Sequence, residues 1–123
     1  MLFRKREKDK KRVFCPISVI VGIIQESVDN DAGSCELVVL FEGKEHSVGF
    51  TSDYNRQQGF FDPIFYLDEQ EFDTFEKFTA QATLNGQLFA SRTDYVVILD
   101  ADKGATKFPW YKALEDYVEE TNI

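Results

Sequence analysis

Between Cys35 and Ser52 two apolar runs, Leu37 to Phe41 and Val48 to Phe50, flank the short polar stretch Glu42-Gly43-Lys44-Glu45. Two strand-like runs joined by a short glycine-bearing turn are the signature of an antiparallel hairpin, and this one constrains the fold more than any other stretch. With Gly43-Lys44 as the turn, Phe41 pairs with His46, Val39 with Val48 and Leu37 with Phe50. One face then carries Leu37, Val39, Phe41, His46, Val48 and Phe50. The other carries Val38, Leu40, Ser47, Gly49 and Thr51, a small-residue surface suited to a covering helix.

The flanking segments extend the pattern. Val13 to Ser27 reads as a strand, because Ile17, Val19, Val21 and Ile23 alternate within a β-branched run, and Asp29 to Gly33 reads as a turn. Residues 53 to 60 have no useful period and form a candidate functional loop. Phe61 to Leu67 is a short extended piece whose Pro63 suits an edge or a strand entry. Asp68 then stands as an N-cap, with Glu71 three residues on and Leu67 and Phe72 as a hydrophobic staple, which predicts a helix over about 69–84 stopped by Asn85-Gly86. Tyr95 to Leu99 has the pattern of a buried strand. Pro109 suits a first helical position, and Trp110, Ala113, Leu114, Tyr117 and Val118 fall on one stripe of a second helix, about 109–121. The sum is an α+β fold: a mainly antiparallel sheet of about four to six strands, the hairpin meander first, with two helices packed on it.

Charge divides the chain of 123 residues in two. Residues 1–12 hold seven of the fourteen basic residues against Glu7 and Asp9, a net charge of +5 on a flexible basic arm. Residues 13–123 hold the remaining 7 basic and 20 acidic residues, a net charge of −13, and form one acidic domain. A field of that sign repels nucleic acid and attracts basic partners. The arm offers weak, nonspecific contact with phosphates through counterion release, although the body opposes it, and the main expectation is a solvated tail. An anionic membrane surface is the other target open to the arm, but Met1-Leu2-Phe3 is a short apolar anchor.

The longest apolar stretch, Ile17 to Ile24, is eight residues long, whereas a membrane-spanning helix needs about 20. The run is β-branched, follows Pro16 and lacks a small-residue cleavage site, so it is not read as an export signal and the expected location is the cytoplasm. Cys15 and Cys35 are expected to remain reduced thiols in that compartment.

Catalytic motifs are hard to find. His46 is the only histidine, and its place in the hairpin assigns it a structural role, because no Ser or Cys is tied to it by spacing. Asp100-Ala101-Asp102-Lys103-Gly104 resembles the start of a calcium loop, but Ala105 and Tyr111 stand where such a loop needs glycine and glutamate. Asp29 to Gly33 fails in the same way. Glu69, Glu71 and Asp73 lie two apart and would diverge on a helix, so they form no carboxylate dyad. No phosphate-binding glycine loop, nucleophile elbow or HExxH is present. No catalytic, cofactor or metal residue is assigned.

The expected function is therefore a non-enzymatic module that binds a basic protein partner through an acidic, aromatic-bearing surface. The residues for that surface are Asp53 and Tyr54, Asp100 and Asp102, and Tyr111 with Glu115 and Glu119. In general character this acidic, aromatic-rich, motif-free profile is similar to that of bacterial immunity proteins that occlude basic toxins, a likeness of composition that carries over no residues. The alternative is a small enzyme or ligand-binding protein with a Phe-lined pocket, marked by His46 beside a carboxylate in a deep site.

Overall fold

The expected hairpin forms, with its turn moved by one residue. The computed structural model describes residues 11–30, 32–55, 60–101 and 112–120. In it β2 (Cys35–Phe41) and β3 (Lys44–Asn55) pair antiparallel, with Phe41 opposite Lys44, Val39 opposite His46 and Leu37 opposite Val48. The turn is Glu42-Gly43 rather than Gly43-Lys44. Both residues take positive φ, 50° and 77°, as the two-residue hairpin turn that matches strand twist requires. Partners thus slide by two residues, and a slip of two keeps every side chain on its own face. Cys35, Leu37, Val39, Phe41, His46, Val48 and Phe50 are all buried together.

The meander continues through β4 (Phe60–Leu67) and β5 (Gln70–Phe72). On the far side of β2 lie β8 (Tyr95–Ala101), β1 (Lys11–Pro16) and β9 (Val118–Glu120), giving a seven-stranded sheet in the order β5-β4-β3-β2-β8-β1-β9. Every pairing is antiparallel. Since β1 and β2 both run against the intervening β8, they are parallel to each other. The connection between them, helix α1 (Ile17–Asp29), must therefore cross one face of the sheet.

That helix corrects the reading of Val13–Ser27 as one strand. The β-branched alternation was real, but Ser18, Gly22, Gln25, Glu26 and Asp29 recur at helical spacing and are the exposed set. Ile17, Ile20, Ile23 and Ile24 form the opposite, buried stripe. Pro16 ends β1 in an extended conformation at the N-cap, and the Ile17 N–H donates to Asp94 O at 3.0 Å, which fixes where the helix starts.

The helix expected over 69–84 is shorter, and its cap lies elsewhere. Asp68-Glu69 is the turn between β4 and β5, and α2 (Phe75–Gln81) begins after Thr74, whose Oγ1 accepts from the Lys77 N–H at 3.0 Å. Asp68 is unavailable as a cap because its carboxylate is engaged across the sheet, as described below. Asn85-Gly86 is not a helix stop but the turn of a small hairpin, β6 (Thr83–Leu84) with β7 (Gln87–Leu88), and both turn residues again have positive φ. A 3-10 turn, Phe89–Ser91, leads on to β8.

The second expected helix, 109–121, is a 3-10 turn at Lys112–Tyr117 followed by strand β9, with residues 109–111 outside the described residues. Val118 takes a register position opposite Val13, so strand pairing competes with continuation of a helix there. Leu114 is fully buried, as the stripe implied, and Tyr117 packs against the core. The start of β1 places Lys11 opposite Glu120 and Arg12 opposite Glu119. Residues 1–10 lie outside the described residues.

One hydrophobic core lies between the inner sheet face and the layer formed by α1, α2 and the irregular segments. Phe65 packs on Phe50, Phe75 and Phe78, and Phe78 in turn meets Phe72 and Phe89. Such ring pairs add about 0.5–1.5 kcal/mol each beyond area burial. Cys15 and Cys35 are buried thiols without a disulfide. Cys15 sits opposite Val96, in the row of Phe41, and Cys35 lies six residues further along β2, about 20 Å away at strand rise. Among the described residues no helix is long and apolar enough to cross a membrane.

Candidate functional site

Because α1 and α2 both cover the same face, strand alternation leaves the opposite face outward. The row across its middle is Glu45 on β3, Leu40 on β2, Val97 on β8 and Phe14 on β1, each opposite the next in register. Tyr95 and Leu99 flank Val97 along β8. Phe14 is 45% exposed, Tyr95 49% and Leu99 38%, and the rings of Phe14 and Tyr95 stack with centroids 5.1 Å apart. Leu99 owes its position to a β-bulge: Val38 pairs with Asp100 and Val39 with Ile98, so Leu99 is the extra residue. An apolar, aromatic patch thus lies in the open on the middle strands.

Acidic side chains share this face on its β5 side. A second row runs Glu71, Tyr66, Gly49, Glu36 across β5 to β2, and the Tyr66 hydroxyl donates to Glu36 Oε1 at 3.1 Å. Asp62 follows two outward positions along β4. Among outward positions whose side chains are described, none is lysine or arginine. Of the lysines and arginines whose side chains are described, Lys44 is opposite Phe41 at the hairpin end, Lys77 pairs with Asp73 beside α2, and Arg92 pairs with Asp94.

The residues singled out in the sequence fall as follows. Asp53 and Tyr54 belong to β3 rather than to a loop, opposite Asp62 and Phe61. Asp100 is at the end of β8 opposite Val38, and Glu119 is in β9 opposite Arg12. Asp53, Asp100 and Glu119 are thus spread across the sheet from β3 to β9. Glu115 is in the last 3-10 turn; Asp102 and Tyr111 lie outside the described residues. Phe14, Tyr95 and Leu99 were missed. The one signal for Tyr95 and Leu99 was a strand apolar at every position in a sheet whose described helices lie on one side; Phe14 carried no such signal.

His46 does stand beside a carboxylate. Its Nδ1 is 2.6 Å from Asp68 Oδ2, while Asp68 Oδ1 accepts the Ser47 N–H at 3.0 Å and the Asp68 N–H donates to Ser47 O at 2.7 Å. These contacts hold Asp68 at φ 55°, a left-handed conformation that aspartate tolerates better than most residues. His46 itself is on the core side and 5% exposed, and its Nε2 is buried with no hydrogen-bond partner among the described residues. A base must reach the proton it abstracts; this ring nitrogen does not face solvent. Burial also pushes the Cys15 thiol up to about 11, so it stays protonated and non-nucleophilic at neutral pH. Among the described residues no cluster of His, Cys, Asp and Glu has the number of ligands to hold a metal ion. In comparison with known proteins, the chain matches no family model, no curated protein and no solved structure.

Proposed function

We propose that this protein is a non-enzymatic binding module whose partner is a basic protein, taken on the outer face of the sheet. The observation that carries the reading is that the described helices cover one face of the sheet, while the other exposes the Phe14–Tyr95 ring pair and also carries Glu45, Glu36 and Glu71. Aromatic anchors inside a charged rim are the usual anatomy of a protein interface, and the charge sets partner choice and association rate. The body's net charge of −13 supplies the field. The buried thiols fit a reducing compartment, and the cytoplasm is the location that goes with this reading. The enzymatic alternative loses ground because His46 and Cys15, the side chains it would draw on, are turned into the core.

The test is affinity capture from the native cell with the wild type and the Phe14→Ser/Tyr95→Ser variant in parallel. A basic protein retained by the wild type and lost by the variant supports the reading. Capture of an acidic protein, or equal capture by both, contradicts it.

A further inference from the structure

The outer face also constrains the shape of what docks there. Leu40, Val97 and Phe14 lie in one row over three adjacent strands, about 10 Å between the outer two at the usual strand spacing. Tyr95 and Leu99 are four residues apart on β8, about 13 Å at strand rise. The patch therefore matches in size the apolar stripe presented by two turns of helix, about 11 Å long.

Backbone chemistry narrows the choice further. In the middle of a sheet, the N–H and C=O groups of β2, β8 and β1 are already paired with neighbouring strands. An extended segment laid on that face would find no ladder to join, since strand addition takes place at sheet edges. A helix carries its own backbone hydrogen bonds and needs only side-chain contact. Helix α1 uses that solution on the inner face, and helices on both faces are a stable layer arrangement for a sheet.

Charge then selects the occupant. Glu45 continues the central row beyond Leu40; Val38 and Ser47 form the next outward row, and Glu36, with Glu71 three strands over, the row after that. A second copy docking face to face would bring one acidic face against another, because a two-fold interface uses the same patch on both subunits. Anionic lipid is repelled for the same reason. We infer that the outer face of β2, β8 and β1 receives an amphipathic helix of a basic partner protein, its apolar stripe on Phe14, Tyr95, Val97, Leu99 and Leu40 and its lysines or arginines toward Glu45. The inference rests on the proposed function and specifies its docking mode.

Three probes test it by fluorescence anisotropy against the full chain: a helical peptide with a leucine stripe and lysine flanks, the same peptide with glutamate flanks, and polylysine, which lacks the stripe. The leucine–lysine helix is expected to bind at least tenfold more tightly than either of the others, and to lose tenfold or more on Phe14→Ser/Tyr95→Ser and several-fold on Glu45→Lys. Circular dichroism on each variant, showing the wild-type spectrum, separates lost binding from lost folding. If polylysine binds as well as the helix, or the helix binds the variants unchanged, the docking mode is wrong while a basic partner still stands. If neither lysine-bearing probe binds, both the inference and the proposed function fail. A concentration-dependent dimer of the wild type that Phe14→Ser/Tyr95→Ser abolishes would overturn the inference in favour of a second copy.

Discussion

Tyr66 and Glu36 reach across the strand between them, joined by a 3.1 Å hydrogen bond at the position of Gly49, which is the register partner of both. Gly49 has φ 146°, and a Cβ built there would lie 1.8 Å from the backbone oxygen of Cys35. No small side-chain movement relieves a clash with backbone. Gly49→Ala is expected to cost about 3 kcal/mol or more, combining overpacking with backbone strain. Tyr66→Phe removes only the hydroxyl and should cost about 0.5–1.5 kcal/mol. Urea unfolding of the two variants checks the order; an alanine at 49 that costs less than the phenylalanine at 66 would mean that β2 and β3 pair differently.

Gly22 behaves in the opposite sense. It is exposed on α1, and a Cβ there meets nothing within 4 Å. Alanine is favoured over glycine in a helix interior by about 0.5–1 kcal/mol, so Gly22→Ala should stabilise the protein by that amount. Thermal unfolding measures it. A destabilised variant would favour the strand reading of this segment.

These glycines show where sequence reasoning held and where it failed. The inner face of the β2–β3 hairpin was legible because alternation survives a two-residue slip, even though Glu42 in a positive-φ turn is not an obvious choice beside Gly43. Helix α1 was obscured because Ile17 and Ile23 satisfy both periods, and only the polar set Ser18, Gly22, Gln25, Glu26 and Asp29 distinguishes them. The capping signal at Asp68 misled because the carboxylate's partners, His46 and Ser47, are more than 20 residues away in sequence. The open face was the least legible part. An all-apolar strand such as Tyr95 to Leu99 does not say which of its sides a helix will cover.

The His46–Asp68 pair gives a graded prediction. Asp68→Asn keeps an acceptor for the Ser47 N–H and tolerates positive φ, so it should cost about 1 kcal/mol. Asp68→Ala leaves the buried His46 Nδ1 unpaired and puts alanine, which lacks aspartate's tolerance of the left-handed region, at that φ, which together should cost about 2–4 kcal/mol. Equal losses in chemical unfolding would show that the side-chain contacts at Asp68 are immaterial.

Alkaline pH should act through Cys15. Its thiol is raised from 9.0 to about 11 by burial, so the folded state holds this proton more tightly than the unfolded state. The corresponding stability is fully present below about pH 9 and is lost as pH rises toward 11, a change of order 2–3 kcal/mol. Comparing the unfolding midpoint of the wild type and Cys15→Ala at pH 8, 9, 10 and 11 isolates this contribution. The variant should show the shallower decline; parallel curves would mean that the thiol ionises without penalty in the fold.

The central claim is that the uncovered face of the sheet is the binding face. Backbone amide NMR, titrating the leucine–lysine helical peptide into the isotopically labelled protein, tests it most directly. The account predicts shift changes concentrated at Phe14, Leu40, Glu45, Tyr95, Val97 and Leu99, with the exposed α1 residues Ser18, Gln25 and Glu26 unmoved. Changes centred on α1 or α2, or none at a saturating peptide concentration, would contradict it.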